Sequence, residues 1–378
     1  MDEIGEVTVP KLEGITPEQN ALEQFSGFFY RLGAITSKSR IRNTESDRPF
    51  SLLAKRSELF QQAKDALHEK DTNKVKNVIH EAHLRDEIAK QYLTQGEVTI
   101  DMKGLGQQTA RYTEVKPPPE RNKNLPTIFL IPGISNDLDC VGWLIQELAW
   151  EGRTVVCVGY PESFMGKTTE EFARAVKNSD RYGPHSQLFS AELKTLIPEG
   201  EVELWGQSTG VPILEQMLQN PDIQEIATRA VGLNPASSVD QTLLSLASGT
   251  VKENVYLTGE LKDLPRYTFS TGRKERVENP SQLTMRKNIM NTLLERIRTK
   301  MDLWKTAKVK EGGTITIVSG DKDDMTKSSK GFPDEAELRS ENPQVRFLRI
   351  PDCHHSTVLI HPEVILPKVF QAQSLPFG

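Results

Sequence analysis

The stretch Gly206-Gln207-Ser208-Thr209-Gly210 is decisive for the fold because of the residues on either side of it. Val202–Trp205 before it has the pattern of a short strand, and residues 211–219 after it have the pattern of a helix. Gly-x-Ser-x-Gly between a strand and a helix is the pattern of a nucleophile elbow, a sharp turn that exposes the serine hydroxyl. Glycine on either side leaves room for such a turn. The motif therefore predicts that Ser208 is a nucleophile at the end of a strand.

Other strands of similar character lie on both sides of this motif. A first pair, 97–102 and 111–115, alternates apolar and polar residues and predicts two antiparallel strands. The later strands are short and almost continuously apolar: 127–131, 154–158, 202–205, 230–233, 315–318 and 345–348. Amphipathic helices are predicted between several of them, at 139–151, 187–197 and 211–219. Strands that are apolar on both faces and alternate with helices predict an α/β fold with a doubly wound, mostly parallel sheet.

The chain divides into four segments on the same criteria. Residues 1–95 are predicted to be a helical N-terminal extension, which either packs on the following domain or serves partner binding or self-association. The α/β core is predicted in two parts, 96–239 and 311–378. Between them, 240–310 is too long for a plain connection and is predicted to be an insertion with a helical cap structure.

Composition excludes some classes of function. A net charge of −5 argues against a general affinity for nucleic acid. Three cysteines form no disulfide framework, which favours a reducing compartment. The acidic N-terminus lacks the features of a secretion signal, and no apolar run approaches the ~20 residues that span a bilayer. We therefore expect a soluble, cytoplasmic protein with no transmembrane segment. The absence of a phosphate-binding or dinucleotide-binding motif predicts no cofactor.

A serine hydroxyl needs a base to accept its proton, and that base needs an acid to orient it. Two later strand ends offer such groups. The first is followed by three carboxylates, and the second is followed by two histidines: Asp321, Asp323, Asp324, His354 and His355. The chain order Ser, Asp, His is the order of this arrangement on α/β sheets. The residues alone leave open which carboxylate and which histidine would serve Ser208.

The segment from about 96 to 375 resembles the α/β-hydrolase superfamily. The motifs that carry the resemblance are Leu130-Ile131-Pro132-Gly133, Gly206-Gln207-Ser208-Thr209-Gly210, Gly320-Asp321-Lys322-Asp323, and His355 with His361-Pro362-Glu363. The resemblance implies the α/β-hydrolase fold and a serine nucleophile with a catalytic triad. It does not specify a substrate.

The resemblance also selects among the candidates. The family acid usually stands three residues after the glycine, which points to Asp323, with Asp321 and Asp324 as alternatives. The family histidine commonly stands seven residues before Pro-Glu, which favours His355 over its neighbour His354. Some members take the acid from the preceding strand end, so Asp240 also remains a candidate.

The oxyanion hole requires two backbone N–H groups aimed at the developing negative charge. The resemblance places one at Thr209, directly after the nucleophile, and the other at Ile134. In the loop of Ile134, Pro132-Gly133 stands in place of the more usual His-Gly.

These residues predict a serine hydrolase of the esterase or lipase kind. It would cleave a small-molecule ester or thioester through an acyl-enzyme intermediate, with the 240–310 insertion capping the site. The same triad serves acyltransferases and peptidases, and some proteins of this fold bind ligands or partners without turnover. These alternatives stay open at the level of sequence.

Overall fold

The computed structural model describes residues 92–133, 141–162, 166–179, 182–236, 303–326 and 339–374, together with a few isolated positions. The strands within these residues form one sheet: β1 (Leu93–Met102), β2 (Gly106–Val115), β3 (Thr127–Ile131), β4 (Val155–Val158), β5 (Val202–Gln207), β6 (Ala227–Leu233), β7 (Thr314–Gly320) and β8 (Val345–Ile350). Their order is β1-β2-β4-β3-β5-β6-β7-β8. The strands β3 to β8 pair in parallel, and β2 runs antiparallel to both of its neighbours. The predicted mostly parallel sheet is therefore confirmed.

Helices cover both faces of this sheet. They are α1 (Gly142–Trp150), α2 (Glu170–Asn178), α3 (Gly183–Leu196), α4 (Gly210–Met217), α5 (Pro221–Ile226), α6 (Thr357–Ile360) and α7 (Pro362–Ser374). Apolar side chains of α3, α4 and α5 pack in the core on one face, and those of α1, α6 and α7 pack in the core on the other. The chain is thus doubly wound, and three predicted helices correspond to α1, α3 and α4 with ends displaced by a few residues.

The central strands carry apolar side chains on both sides because both of their faces are buried. In β3, Phe129 packs into one core and Leu130 into the other, and in β5 Leu204 and Trp205 divide in the same way. Every residue of β5 is buried. This two-sided burial explains why these strands lack the alternation of a half-exposed strand.

The buried carboxylate of Glu203 lies near the amino end of β5. It forms ion pairs with Arg153 at 2.6 Å and with Arg229 at 3.1 Å. Paired and hydrogen-bonded in this way, a buried charge offsets part of its desolvation cost. These ion pairs lie at the amino end of β5, whereas Ser208 follows its carboxyl end.

Two predicted segments lie largely outside the described residues: the N-terminal extension 1–95 and most of the 240–310 insertion. The last three residues of that extension belong to β1, so the first strand begins earlier than predicted. In the part of the chain that the structure describes, no helix combines the length and the apolar character that crossing a bilayer requires.

The parallel strands place the loops that follow them at a common edge. We call this the carboxyl edge of the sheet; the loops after β3, β4, β5, β6, β7 and β8 begin there. In open α/β sheets, ligand sites lie at this edge. It is also where Ser208, Asp323 and His355 lie.

Candidate active site

The turn between β5 and α4 holds Ser208 in an unusual backbone conformation. Its φ is +52°, in the left-handed region that non-glycine residues rarely adopt, and such strain is typical of functional sites. A Cβ on Gly206 would lie 2.6 Å from the carbonyl oxygen of Gly210, and one on Gly210 would lie 2.2 Å from that of Ile131. Both positions therefore require glycine. The local geometry is that of a nucleophile elbow.

The side chains of Ser208, His355 and Asp323 form a hydrogen-bonded row at the carboxyl edge. Nε2 of His355 is 2.9 Å from Oγ of Ser208, and Nδ1 of His355 is 2.9 Å from Oδ2 of Asp323. All three residues are buried. An ionised carboxylate only accepts hydrogen bonds, so the Nδ1 of the neutral ring carries the proton and Nε2 accepts from the serine hydroxyl. The three residues that the sequence and the family resemblance select are thus brought together in one cluster, the Ser–His–Asp cluster.

Asp323 is fixed by a second residue besides the histidine. The backbone N–H of Thr326 donates to its Oδ1 at 2.9 Å, and the hydroxyl of Thr326 donates to its Oδ2 at 2.7 Å. Burial acts to raise the pKa of Asp323, but the nearby His355 and the bonds from Thr326 outweigh it and hold this pKa below its ordinary value. The carboxylate therefore stays ionised at neutral pH.

The two other candidate acids that the structure describes have different surroundings. Asp321 is exposed to solvent at the start of the same turn. Asp324 forms an ion pair with the exposed Lys252 at 2.9 Å. Asp240 lies outside the described residues. Among the described residues, the geometry singles out Asp323.

The electrostatic surroundings of His355 favour its protonated form. Burial acts to lower the pKa of the imidazole, but the carboxylates of Asp323 and Glu253 outweigh it, and the pKa lies above its ordinary value. The neighbouring His354 does not reach Ser208 in this way. Its side chain is a quarter exposed, and its backbone N–H donates to the hydroxyl of Thr357 at 2.8 Å.

Asn234 joins two loops of the cluster and was not identified as a site residue from the sequence. It follows β6 directly and is buried. Its side-chain amide donates to the carbonyl of His355 at 2.8 Å and accepts from the N–H of Gly320 at 2.9 Å. Asn234 therefore holds the end of β7 at a fixed distance from the loop after β8 that carries His354 and His355, which we call the histidine loop. Its position at a strand end was the signal available in the sequence.

The loop after β3 is held by two buried hydrogen bonds. The N–H of Gly133 donates to the side-chain carbonyl of Gln207 at 2.9 Å, and the hydroxyl of Tyr160 donates to the carbonyl of Pro132 at 2.8 Å. Gln207 directly precedes Ser208, so this loop is tied to the elbow itself. The predicted oxyanion donor Ile134 follows Gly133 and lies outside the described residues.

The other predicted oxyanion donor, Thr209, is the buried residue that precedes the first residue of α4. The first N–H groups of a helix have no acceptor within the helix, and the helix dipole places partial positive charge there. The local geometry at Thr209 therefore favours an anion beside Ser208.

Glu253 is a further residue that sequence reasoning missed. Its buried carboxylate accepts from the backbone N–H of His355 at 3.3 Å and from that of Ser356 at 2.6 Å. It comes from the 240–310 insertion, about a hundred positions before the histidine, and no motif surrounds it. Nothing in the sequence pattern signals this contact.

Comparison with known proteins identifies the fold. No protein-family model matches the chain, and no curated protein matches it. Among solved structures, a membrane phospholipase A described as a bacterial virulence factor is 16% identical, with a TM-score of 0.52 over 84% of this chain and 97% of that one. A probable hydrolytic enzyme from Pseudomonas aeruginosa PAO1 is 15% identical, with a TM-score of 0.50 over 75% of this chain and 95% of that one. With the sheet and helices described above, these likenesses show that the chain has the α/β-hydrolase fold that its motifs predict.

Proposed function

We propose that this protein is a serine hydrolase that cleaves an ester or thioester through an acyl-enzyme intermediate. The observation that carries the proposal is the pair of 2.9 Å hydrogen bonds that link Ser208, His355 and Asp323 in a buried row. A nucleophile bonded to a base, and that base bonded to an acid, is the arrangement that activates a serine. The two solved structures of like fold are described as a membrane phospholipase A and a probable hydrolytic enzyme, which agrees with this reaction class.

In the proposed acylation step, Oγ of Ser208 attacks the substrate carbonyl carbon while Nε2 of His355 takes the hydroxyl proton. The ionised Asp323 stabilises the imidazolium that forms. The carbon–oxygen or carbon–sulfur bond then breaks, and the imidazolium gives its proton to the leaving group. In deacylation, water attacks the carbonyl carbon of the acyl-enzyme while Nε2 of His355 takes one of its protons. The bond between this carbon and Oγ of Ser208 then breaks, the imidazolium returns the proton to Oγ, and the carboxylic acid is released.

The negative charge that develops on the carbonyl oxygen needs donors at a fixed position. In this proposal they are the backbone N–H groups of Thr209 and Ile134. Two features support it. One is the helix start beside Ser208, and the other is the pair of hydrogen bonds, accepted by Gln207 and donated by Tyr160, that hold the loop before Ile134. The 240–310 insertion would cap the site and contribute to the acyl pocket.

The test is steady-state hydrolysis of p-nitrophenyl esters and acyl thioesters of increasing chain length. Ser208→Ala and His355→Ala should each lower kcat by about 10⁴-fold or more. His354→Ala is the matched control and should retain most of the activity. Activity that is unchanged in Ser208→Ala would overturn the proposal. Product that forms only when an alcohol or thiol acceptor is added would assign the triad to acyl transfer instead of hydrolysis.

A further inference from the structure

One short part of the 240–310 insertion contacts both loops that complete the Ser–His–Asp cluster. Its described residues, all in helical conformation, are Ser248, Gly249, Lys252 and Glu253. Glu253 reaches the histidine loop, while Gly249 and Lys252 reach the turn that carries Asp323. These contacts are made by a segment that is distant from either loop in the sequence.

The contact on the histidine loop is made by a buried charge. The carboxylate of Glu253 is 4% exposed and uses one oxygen for the N–H of His355 and the other for the N–H of Ser356. A buried carboxylate is costly unless it is hydrogen-bonded, and charge-assisted bonds to N–H groups are among the stronger ones. The backbone of His355 is therefore fixed by Glu253, while its ring is held by Asp323.

The contact on the turn that carries Asp323 and Asp324 is a close approach between two backbone segments. A Cβ at Gly249 would lie 2.0 Å from the carbonyl oxygen of Asp324, so only glycine permits the observed packing. The ion pair between Lys252 and Asp324 adds to this contact, but both side chains are exposed and such pairs stabilise little. Gly249 therefore packs closely against the turn that carries Asp324, whereas Glu253 is hydrogen-bonded to the histidine loop.

We propose that Glu253 is a positioning residue, which sets Nε2 of His355 on Ser208 by fixing the backbone of the histidine loop. This inference rests on the proposed serine hydrolase function and extends it, because it ties the geometry of the site to the insertion. Among the described residues, the charged and titratable groups that face His355 are Asp323 on its ring, Glu253 on its backbone and the adjacent His354. Two carboxylates thus favour the imidazolium that forms during acylation.

Two substitutions distinguish the effect of the negative charge of Glu253 from that of its hydrogen bonds. Glu253→Gln removes the charge and keeps one acceptor oxygen, whereas Glu253→Ala removes the charge and both acceptor oxygens. In each, the pKa of His355 should fall, so the acid limb of the pH profile of kcat/KM should move to lower pH. Glu253→Ala should also lower kcat on the order of 10²-fold, the loss expected when a reacting group is misplaced by about 1 Å.

Glu203→Gln is the matched control, because it also neutralises a buried carboxylate, but at the far end of β5. It should lower the melting temperature and leave the pH profile unchanged. If Glu253→Gln folds and keeps the wild-type acid limb, the inference is wrong. It is also wrong if Glu203→Gln shifts that limb by as much as Glu253→Gln does.

A measurement that needs no turnover separates this inference from the proposed function. The pKa of His355 is followed by NMR through the ring carbon-bound proton, assigned with His355→Asn. If the wild-type protein hydrolyses no ester but Glu253→Gln still lowers this pKa, the proposed function fails while the electrostatic contact stands. If the wild-type protein is active and the pKa does not change, only the inference on Glu253 fails.

Discussion

Replacing Asp323 by Asn should disable the cluster without unfolding the protein, for a reason visible in its hydrogen bonds. Three donors to this carboxylate lie among the described residues: Nδ1 of His355, and the N–H and hydroxyl of Thr326. An asparagine has one acceptor oxygen, which must face the backbone N–H of Thr326, because that donor cannot rotate away. The amide NH₂ then faces Nδ1 of His355 and donates to it.

This reversal forces the ring proton onto Nε2 of His355, where it points at Ser208. The ring is then unable to accept the serine proton. The opposite orientation of the amide would set two buried donors against each other and cost about 1–3 kcal/mol, so the inactive form is preferred. The same substitution in a Ser-His-Asp protease lowers kcat by about 10⁴-fold, which at 1.36 kcal/mol per tenfold is about 5.4 kcal/mol of barrier. We expect a loss of that order here.

The assay is kcat for p-nitrophenyl ester hydrolysis, with circular dichroism to verify the fold. Asp321→Asn and Asp324→Asn are matched controls in the same turn, because neither carboxylate contacts the ring of His355, and both variants should stay near wild-type activity. If a folded Asp323→Asn variant loses less than about tenfold in kcat, the asparagine does not force the ring proton onto Nε2 of His355. An equal loss of kcat in either control variant would also contradict this explanation.

Three further predictions concern pH and the loops around the cluster. Because His355 must be neutral to act as a base and its pKa is raised, kcat/KM should fall on acidification with a midpoint above the ordinary 6.5; a pH–rate profile with a lower midpoint would contradict this. Tyr160→Phe leaves the buried carbonyl of Pro132 without its donor and should lower the free energy of unfolding in urea by about 1–3 kcal/mol, so an unchanged value would count against the contact. Gly210→Ala forces a Cβ to within 2.2 Å of the carbonyl of Ile131 and should destabilise by about 3 kcal/mol, and a melting temperature equal to that of the wild type would show that the elbow tolerates a side chain.

The sequence pattern was sufficient to predict the sheet because strands that are buried on both faces have runs of consecutive apolar residues. In β3, both Phe129 and Leu130 must be apolar, since each packs into a different core. Helix α2 was not predicted. Its buried apolar side chains are only Phe172 and Val176, which pack with Met102 and Leu188 in a small cluster apart from the two main cores. The rest of the helix is polar or small, so it contributes little apolar signal to the sequence.

The choice among neighbouring polar residues depends on contacts that sequence alone does not reveal. Asp321, Asp323 and Asp324 are chemically alike, and the turn conformation alone decides which one is buried against the histidine. The family spacing pointed to Asp323, but the physical reason is this burial. The strand-end position of Asn234 was a signal, but the roles of Asn234 and Glu253 were not predicted, because each bonds to backbone groups 86 to 121 positions away in the chain.

Covalent labelling shows whether Ser208 is a nucleophile that His355 activates. The protein is incubated with a fluorophosphonate probe, and the modified residue is located by peptide mass spectrometry in the wild type, His355→Ala and His354→Ala. We expect labelling at Ser208 that is lost in His355→Ala and kept in His354→Ala. Labelling at another residue, or labelling of Ser208 that persists at the wild-type rate without His355, would contradict it.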